Sequence, residues 1–171
     1  MIRTIQEADI PAISDIYKYH VLNGTGTFEI VPPTDFEMLS RYLDVKSKGL
    51  PFLVLEEQGS VKGFAYCNWF KPRPAYRFSA ETSIYIAPDQ IRKGYGHALL
   101  DELCQSAEQA GIRKLIAVIG DSANIGSIKL HQACNFSQTG IVKGCGWKFN
   151  TWLDIVIMEK TLGFGQTTSP E

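Results

Sequence analysis

The fold is decided by residues 79–120, SAETSIYIAPDQIRKGYGHALLDELCQSAEQAGIRKLIAVIG. Polar and apolar residues alternate over 79–86, which predicts a strand with one polar face. Apolar residues recur at helical spacing from Gly96 to Ala110, and the nearly continuous apolar run over 114–120 predicts a strand buried on both faces. A strand, a helix and a second strand in this order predict a right-handed parallel crossover.

The flanking sequence extends this unit into a mixed α/β domain. A short strand and a helix are predicted before it, followed by a helix that starts at the capping box Thr34 to Glu37 and by an antiparallel hairpin. After it come a short helix around 127–133 and strands over 137–142 and 153–158. A glycine-rich turn is predicted between these two strands, at 144–147.

Composition and charge narrow the possible functions. The 171 residues are 44% apolar, so we expect a single domain over 1–162 and a disordered tail over 163–171. With 17 basic and 18 acidic residues, the net charge of -1 gives no general attraction for nucleic acid or an anionic membrane.

The N-terminus has no apolar run of signal-peptide or membrane-span length, so a cytoplasmic location is expected. The four cysteines form no C-x-x-C pair and are interpreted as reduced thiols.

A glycine-rich loop joins the first strand of the crossover to its helix. Gly94 and Gly96 let the backbone turn sharply, the free N–H groups of the first helical turn favour an anion, and Arg92 and Lys93 add positive charge. The alternative is an ordinary glycine-rich turn with solvated basic residues. A P-loop is excluded because no Gly-Lys-Ser or Gly-Lys-Thr occurs.

A dinucleotide-binding fingerprint fits this loop less well. That motif requires a third glycine or alanine, and the corresponding position is Leu99. Asp121, at the end of the following strand, keeps the dinucleotide interpretation open.

Four segments carry a resemblance to a known family. They are, in order, YRFSAETSIYI at 76–86, the loop ending Gly94-Tyr95-Gly96, Asn124 with SIKLH at 127–131, and Lys148-Phe149 with WLD at 152–154. The chain resembles the GNAT superfamily, specifically its phosphinothricin and methionine sulfoximine N-acetyltransferase group, over nearly all of residues 2–162. The resemblance implies an α/β GNAT fold, a mixed and mostly antiparallel sheet whose central parallel strand pair is splayed and flanked by helices.

The resemblance also implies acetyl-CoA as the co-substrate, with no metal. The backbone N–H groups from Arg92 through Lys93, Gly94, Tyr95, Gly96 and His97 to Ala98 would hold the pyrophosphate. The backbone of Ile84, Tyr85 and Ile86 would pair with the pantetheine arm, near Asn124 and Ser127. The family has Gln or Arg three positions before the first glycine, whereas this chain has Ile91, so one side-chain donor is missing.

Two residues are assigned to the chemistry by this resemblance. Glu81 matches the family's general base, which takes a proton from the acceptor amine, although a strand glutamate is more often a solvated carboxylate. His131 matches the group that protonates the departing thiolate, and the alternative is a helix-surface histidine.

Four residues are assigned to the acceptor. Arg77 would bind a carboxylate through a two-pronged hydrogen bond, and its alternative is a surface loop arginine. Phe28, Glu29 and Lys148 are further pocket candidates by resemblance.

The expected function is transfer of the acetyl group to a small amino-acid-like amine by direct attack in a ternary complex. The alternatives are an acetyltransferase for polyamines or protein N-termini, an acyl-CoA-binding sensor without catalysis, and the dinucleotide enzyme. Relatives in the family suggest a homodimer, by analogy alone.

Overall fold

A seven-stranded mixed sheet forms the centre of the molecule, whose computed structural model describes residues 1–170. The strands are β1 (Ile2–Thr4), β2 (Phe52–Glu57), β3 (Ser60–Trp69), β4 (Ser79–Ile86), β5 (Lys114–Gly120), β6 (Ser137–Lys148) and β7 (Thr151–Thr161). The helices are α1 (Ile10–Asn23), α2 (Asp35–Ser47), α3 (Tyr95–Gln109) and α4 (Ile125–Ala133). The strand order is β1-β2-β3-β4-β5-β7-β6, and only the β4–β5 pair is parallel.

The crossover from β4 through α3 to β5 confirms the prediction from residues 79–120. Leu99, Leu100 and Leu103 of α3 have no exposed surface and pack into the core. The alternation of β4 and the apolar run of β5 produce strands with the predicted bounds. The mixed sheet with one central parallel pair is therefore the α/β fold that the resemblance implied.

The two parallel strands separate after a short paired stretch. Their register runs from Ser79 opposite Lys114 to Thr82 opposite Ala117 and goes no further. On its other side, β4 stays paired with β3 as far as Ile86, and β5 stays paired with β7 along its whole length. Because each strand is held by its outer neighbour, the gap between them is a fixed feature of the sheet.

Helices cover both faces of the sheet. On one face, the rings of Tyr17 in α1 and Tyr85 in β4 meet edge to face with centroids 4.8 Å apart. On this face, α2 begins at the predicted capping box, where Thr34 Oγ1 accepts from the Glu37 N–H at 3.3 Å and the Glu37 carboxylate accepts from the Thr34 N–H at 2.7 Å. On the opposite face, Leu99 of α3 packs over Gly63 of β3.

The predicted turn at 144–147 is wrong, because these residues lie inside β6. Gly144 has a φ of 55°, and the pairing register shifts between Val142 and Gly146, so the glycines form an irregularity in the strand. The chain reverses instead at Phe149 and Asn150, whose φ values are 50° and 57°. Two consecutive left-handed residues give the turn that fits the twist of a tight hairpin.

The end of the chain forms turns over residues 163–170, with no helix or strand. The Leu162 N–H donates to the Arg113 carbonyl at 3.0 Å, and Leu162 is buried. The proposed domain limit at 162 and the disorder of the tail stay predictions.

Residues 1–170 contain neither a candidate membrane-spanning helix nor a cluster of metal-ligating side chains. No helix in this part of the chain is long and apolar enough to cross a membrane. Nor do these residues contain a group of three or more histidine, cysteine, aspartate or glutamate side chains that could hold a metal ion.

Candidate active site

A cleft of about 460 Å³ opens where β4 and β5 separate. Its walls come from the ends of both strands, from α4, and from the loop at 24–26. The Ala87 N–H donates to the Lys62 carbonyl of β3 at 2.9 Å. In an antiparallel pair, the N–H and C=O of one residue point to the same side of the strand, and the side alternates from residue to residue. The N–H and C=O groups of Ile84 and Ile86 therefore face the cleft, whereas those of Tyr85 face β3.

On the cleft side, the N–H and C=O groups of Ile84 and Ile86 are not paired with any strand and are available to a ligand. One of these groups is already occupied, because His20 Nε2 lies 2.8 Å from the Ile86 carbonyl oxygen and donates to it when the proton is on that nitrogen. An extended chain containing amides could pair with the remaining N–H and C=O groups as an additional strand would. This geometry suits the pantetheine arm, and it distinguishes Ile84 and Ile86 from Tyr85.

The glycine loop sits beside the cleft, at the start of α3. Gly94 caps the helix with a φ of 82°, and the first intrahelical bond runs from the Ala98 N–H to the Gly94 carbonyl at 3.1 Å. The N–H groups before Ala98 have no helical partner, so they and the positive end of the helix dipole form a place for an anion. Arg92 and Lys93, both exposed, lie just before it.

Ile91 stands in this loop where the family pattern has Gln or Arg, and the neighbouring Gln90 makes the side-chain contact instead. Ile91 is 58% exposed and contributes apolar surface to the cleft wall. Gln90, one position earlier, is only 8% exposed, and its Oε1 accepts from Lys93 Nζ at 2.7 Å. Gln90 therefore fixes the loop from inside.

The start of α4 forms the opposite wall of the cleft. Asn124 caps this helix, because its Oδ1 accepts from the Ser127 N–H at 3.2 Å, and both residues line the cleft. His131 lies one turn further along and is 3% exposed. Its Nδ1 is 2.8 Å from the Ser127 carbonyl oxygen, so the proton is on Nδ1 in the neutral ring and Nε2 carries the lone pair. Burial lowers the pKa of His131, so the neutral ring is favoured.

Glu81 lies on the other side of the strand opening. It lines a second cavity of about 310 Å³ together with Ser83, and a more open groove of about 500 Å³. Burial raises the pKa of Glu81, and the positive charge of Lys71 opposes this only in part. Within residues 1–170 no hydrogen bond reaches its carboxylate. A carboxylate with a raised pKa and free acceptor sites is suited to take a proton.

The cleft and the second cavity meet through the opening between the strands. They share five lining residues: Gly26, Thr82, Ser83, Tyr85 and Val118. A donor molecule along the cleft and an acceptor beside Glu81 would therefore approach each other through the gap in the sheet.

The loop at 24–27 forms part of the wall between the two spaces, and Lys148 fixes it. Lys148 is 4% exposed, and its ammonium donates to the carbonyls of Gly24 at 2.7 Å and Thr27 at 2.8 Å. Thr25 adds a hydrogen bond to Asp121 at 2.8 Å. Lys148 does not line any of the three cavities, so these contacts favour a supporting role over contact with the acceptor.

The other predicted acceptor residues separate into two groups. Phe28 and Glu29 line the second cavity, and the ring of Phe28 packs against Gly146 so closely that a side chain at 146 would collide with it. Arg77 does not line the three cavities; its guanidinium lies 4.5 Å from the centre of the Phe78 ring and donates to the Pro74 carbonyl at 3.1 Å.

Three residues at the site carry no signal in the sequence. His20 and Arg41 lie on helices far along the chain from every motif, and Tyr66 lies on the strand next to β4. All three line the cavities around the strand opening. A helical histidine or arginine is ordinary in a sequence, and only the packing of α1 and α2 onto the sheet brings these side chains to the site.

Comparisons with known proteins agree with this geometry. An acetyltransferase (GNAT) domain model matches residues 2–157. A phosphinothricin N-acetyltransferase from Alcaligenes faecalis is 48% identical over 99% of this chain and 86% of its own. An L-methionine sulfoximine/L-methionine sulfone acetyltransferase from Salmonella typhimurium is 33% identical over 94% of each chain. The crystal structure of a phosphinothricin acetyltransferase from Sinorhizobium meliloti in complex with AcCoA superposes with a TM-score of 0.97, at 42% identity, over 100% of this chain and 92% of that one.

The buried His131 and the partly buried His20 predict how stability depends on pH. Burial lowers the pKa of both His20 and His131 below the value near 6.5 expected in the unfolded chain, so unfolding takes up protons in that range. The two histidines should therefore make the free energy of unfolding decrease as the pH falls below about 6.5, by at most about 1.4 kcal/mol per pH unit each, whereas the raised pKa of Glu81 acts in the opposite direction.

Urea unfolding at several pH values between 5 and 7.5 measures this slope. His131→Gln should make the slope shallower, whatever its effect on absolute stability, because this variant lacks the buried imidazole that binds a proton more readily once the chain unfolds. An unchanged slope in His131→Gln would contradict the prediction.

Proposed function

This chain belongs to the GNAT acetyltransferase family, whose members move an acetyl group from acetyl-CoA to an amine, and we propose that its acceptor is a small amino-acid-like molecule. Phosphinothricin, methionine sulfoximine and methionine sulfone are the compounds we propose first, because the relatives' names specify them. The observation that carries the proposal is the pair of cavities joined through the strand opening, with Glu81 in the second cavity.

We assign the donor to the cleft of about 460 Å³ that opens where β4 and β5 separate. Backbone N–H groups from Arg92 to His97 would bind its pyrophosphate, whereas the predicted contact with the Ala98 N–H is wrong, because that group donates to the Gly94 carbonyl. The cleft-facing N–H and C=O groups of Ile84 and Ile86 would pair with its pantetheine arm. Asn124 and Ser127 line the same cleft and would contact that arm. Acetyl-CoA, when bound, supplies the acetyl group as a thioester.

The proposed proton transfers begin at Glu81. An ammonium has no free electron pair, so the acceptor must lose a proton, which the Glu81 carboxylate would take directly or through a water. The amine nitrogen then forms its bond to the acetyl carbon and loses a second proton to solvent water, and the carbon–sulfur bond breaks. The N–H groups of Ile84 and Ile86 would stabilise the negative charge that develops on the acetyl oxygen.

His131 is proposed to return a proton to the departing thiolate. In the neutral ring Nδ1 holds the proton and donates to the Ser127 carbonyl, so Nε2 must first take up a second proton from solvent water in the cleft. Because burial lowers the pKa of His131, the imidazolium is a stronger acid than usual and gives that proton up readily. The thiolate is the base that receives it.

We propose that the protein acts in the cytoplasm as a homodimer. The four cysteines are free thiols, three of them buried, which fits a reducing compartment. β6 is an edge strand, and the hairpin it forms with β7 exposes large apolar side chains: Ile141 (42%), Val142 (43%), Trp147 (52%), Phe149 (53%) and Trp152 (65%). An apolar patch along an exposed strand edge commonly marks a protein interface, and a second copy is the partner we propose.

The substrate proposal is tested by release of the CoA thiol from acetyl-CoA. The acceptors are phosphinothricin, methionine sulfoximine, methionine sulfone, ordinary amino acids, polyamines and short peptides. Preferred turnover of the amino acid analogues supports the proposal. Turnover of polyamines or peptides alone would favour the alternative acceptors, and no turnover of any acceptor would contradict the proposed substrate class.

Glu81→Gln should lower kcat/KM about 10²- to 10⁴-fold while leaving acetyl-CoA binding intact, because the amide cannot accept the amine proton. Turnover measured by thiol release and binding measured by calorimetry distinguish the two effects. The matched control is Glu108→Gln, at an exposed position on α3, which should change neither. A Glu81→Gln protein with full turnover would exclude Glu81 as the base.

The exposed apolar side chains of the β6–β7 hairpin predict that a substitution there weakens the proposed dimer. Trp152→Ser should shift a dimer toward monomer, because it removes the most exposed ring of the patch, and sedimentation velocity measures the change. Phe36→Ser is the control, since Phe36 is 76% exposed on α2 and lies outside the hairpin. A wild-type protein that is monomeric at tens of micromolar would contradict the dimer.

A further inference from the structure

A two-pronged ion pair lies at the second cavity and has no part in the chemistry described above. Arg41 of α2 faces Glu29, with Nη1 2.8 Å from Oε1 and Nη2 3.1 Å from Oε2. Their side chains are 35% and 36% exposed. Ion pairs this open to solvent contribute little to stability, so the pair calls for a different explanation.

The Arg41–Glu29 pair lies beside the same cavities as Glu81, the proposed base. Arg41 lines both the second cavity and the open groove, and Glu81 lines both as well. All three charges also reach the hydroxyl of Tyr66: burial raises its pKa most, the charges of Glu29 and Glu81 raise it further, and the charge of Arg41 lowers it. An acceptor with its amine beside Glu81 would therefore place its remaining groups near Arg41.

Arg41 has hydrogen-bond donors to offer such an acceptor. A guanidinium carries five N–H groups, and Glu29 takes one from each of the two terminal nitrogens. Glu29 also fixes the plane of the guanidinium, whose centre lies 5.6 Å from the Tyr17 ring centroid. A positioned guanidinium binds paired anionic oxygens better than lysine does.

We propose that Arg41, oriented by Glu29, binds an anionic group of the acceptor and so determines its specificity. The inference rests on the proposed function, because it assumes an amino-acid-like acceptor beside Glu81. The anionic oxygens belong to the α-carboxylate or to a side-chain phosphinate, and both present the same chemistry to a guanidinium. Glu29 is a positioning residue in this arrangement.

The test uses four acceptors that separate the two sources of negative charge. Methionine sulfone offers an α-carboxylate, the α-carboxamide of phosphinothricin offers a phosphinate, phosphinothricin offers both, and the α-carboxamide of methionine sulfone offers neither. KM and kcat are measured for each with the unaltered protein and with Arg41→Gln, Arg41→Lys and Lys46→Gln. Lys46 is the matched control, an exposed cation on the same helix that does not line the cavities.

Arg41→Gln should raise KM about 10- to 100-fold for acceptors that carry the recognised anion, with a much smaller effect on kcat. The uncharged carboxamide should be unaffected within about twofold, and Lys46→Gln should match the unaltered protein. Sensitivity confined to acceptors with the α-carboxylate, or to those with the phosphinate, identifies the group that Arg41 binds. Arg41→Lys keeps the positive charge but lacks the planar, two-pronged guanidinium, so it should give an intermediate KM. This variant also tests the inference if Arg41→Gln folds poorly.

Two results would overturn the inference. One is a rise in KM that is equal for charged and uncharged acceptors, or absent for all of them. The other is a charge-selective loss in Arg77→Gln that Arg41→Gln lacks, which would assign the anion to Arg77. Failure of the unaltered protein to acetylate any of the four acceptors would instead contradict the proposed function.

Discussion

The separation of β4 from β5 is the constraint on which the rest of the site depends. Four residue pairs join the strands, from Ser79–Lys114 to Thr82–Ala117. Beyond that point each strand is paired only with its outer neighbour, so the inner N–H and C=O groups of Ile84 and Ile86 face the cleft. A fully paired sheet would use those groups for its own ladder and would leave no passage between its two faces.

Burial determines the charge states on both sides of that passage. It raises the pKa of Glu81 and lowers that of His131, so each group is shifted toward its neutral form. The raised pKa of Glu81 makes its carboxylate a stronger base, and the lowered pKa of His131 makes its imidazolium a stronger acid.

The loop at 24–27 connects the hairpin of β6 and β7 to the site. Lys148, at the end of β6, binds two carbonyls of this loop and is flanked in sequence by Trp147 and Phe149 of the apolar patch. The packing is close, because a side chain at Gly120 would collide with the Thr25 carbonyl oxygen. The element proposed to bind a second copy therefore also holds a wall between donor and acceptor.

The sequence by itself determined the crossover at 79–120, the glycine loop and the place of Glu81 on the polar face of its strand, because periodicity and turn requirements depend on residues that are close together in the chain. The role of Glu81 came from the family resemblance. It misplaced the β6–β7 turn, since Gly144 and Gly146 resemble turn residues and only the cross-strand register shows otherwise. Tertiary structure alone decided that Lys148 supports a loop and that Arg41 meets Glu29 near Glu81. Those contacts join residues distant along the chain, and no local pattern specifies which helix face packs against which part of the sheet.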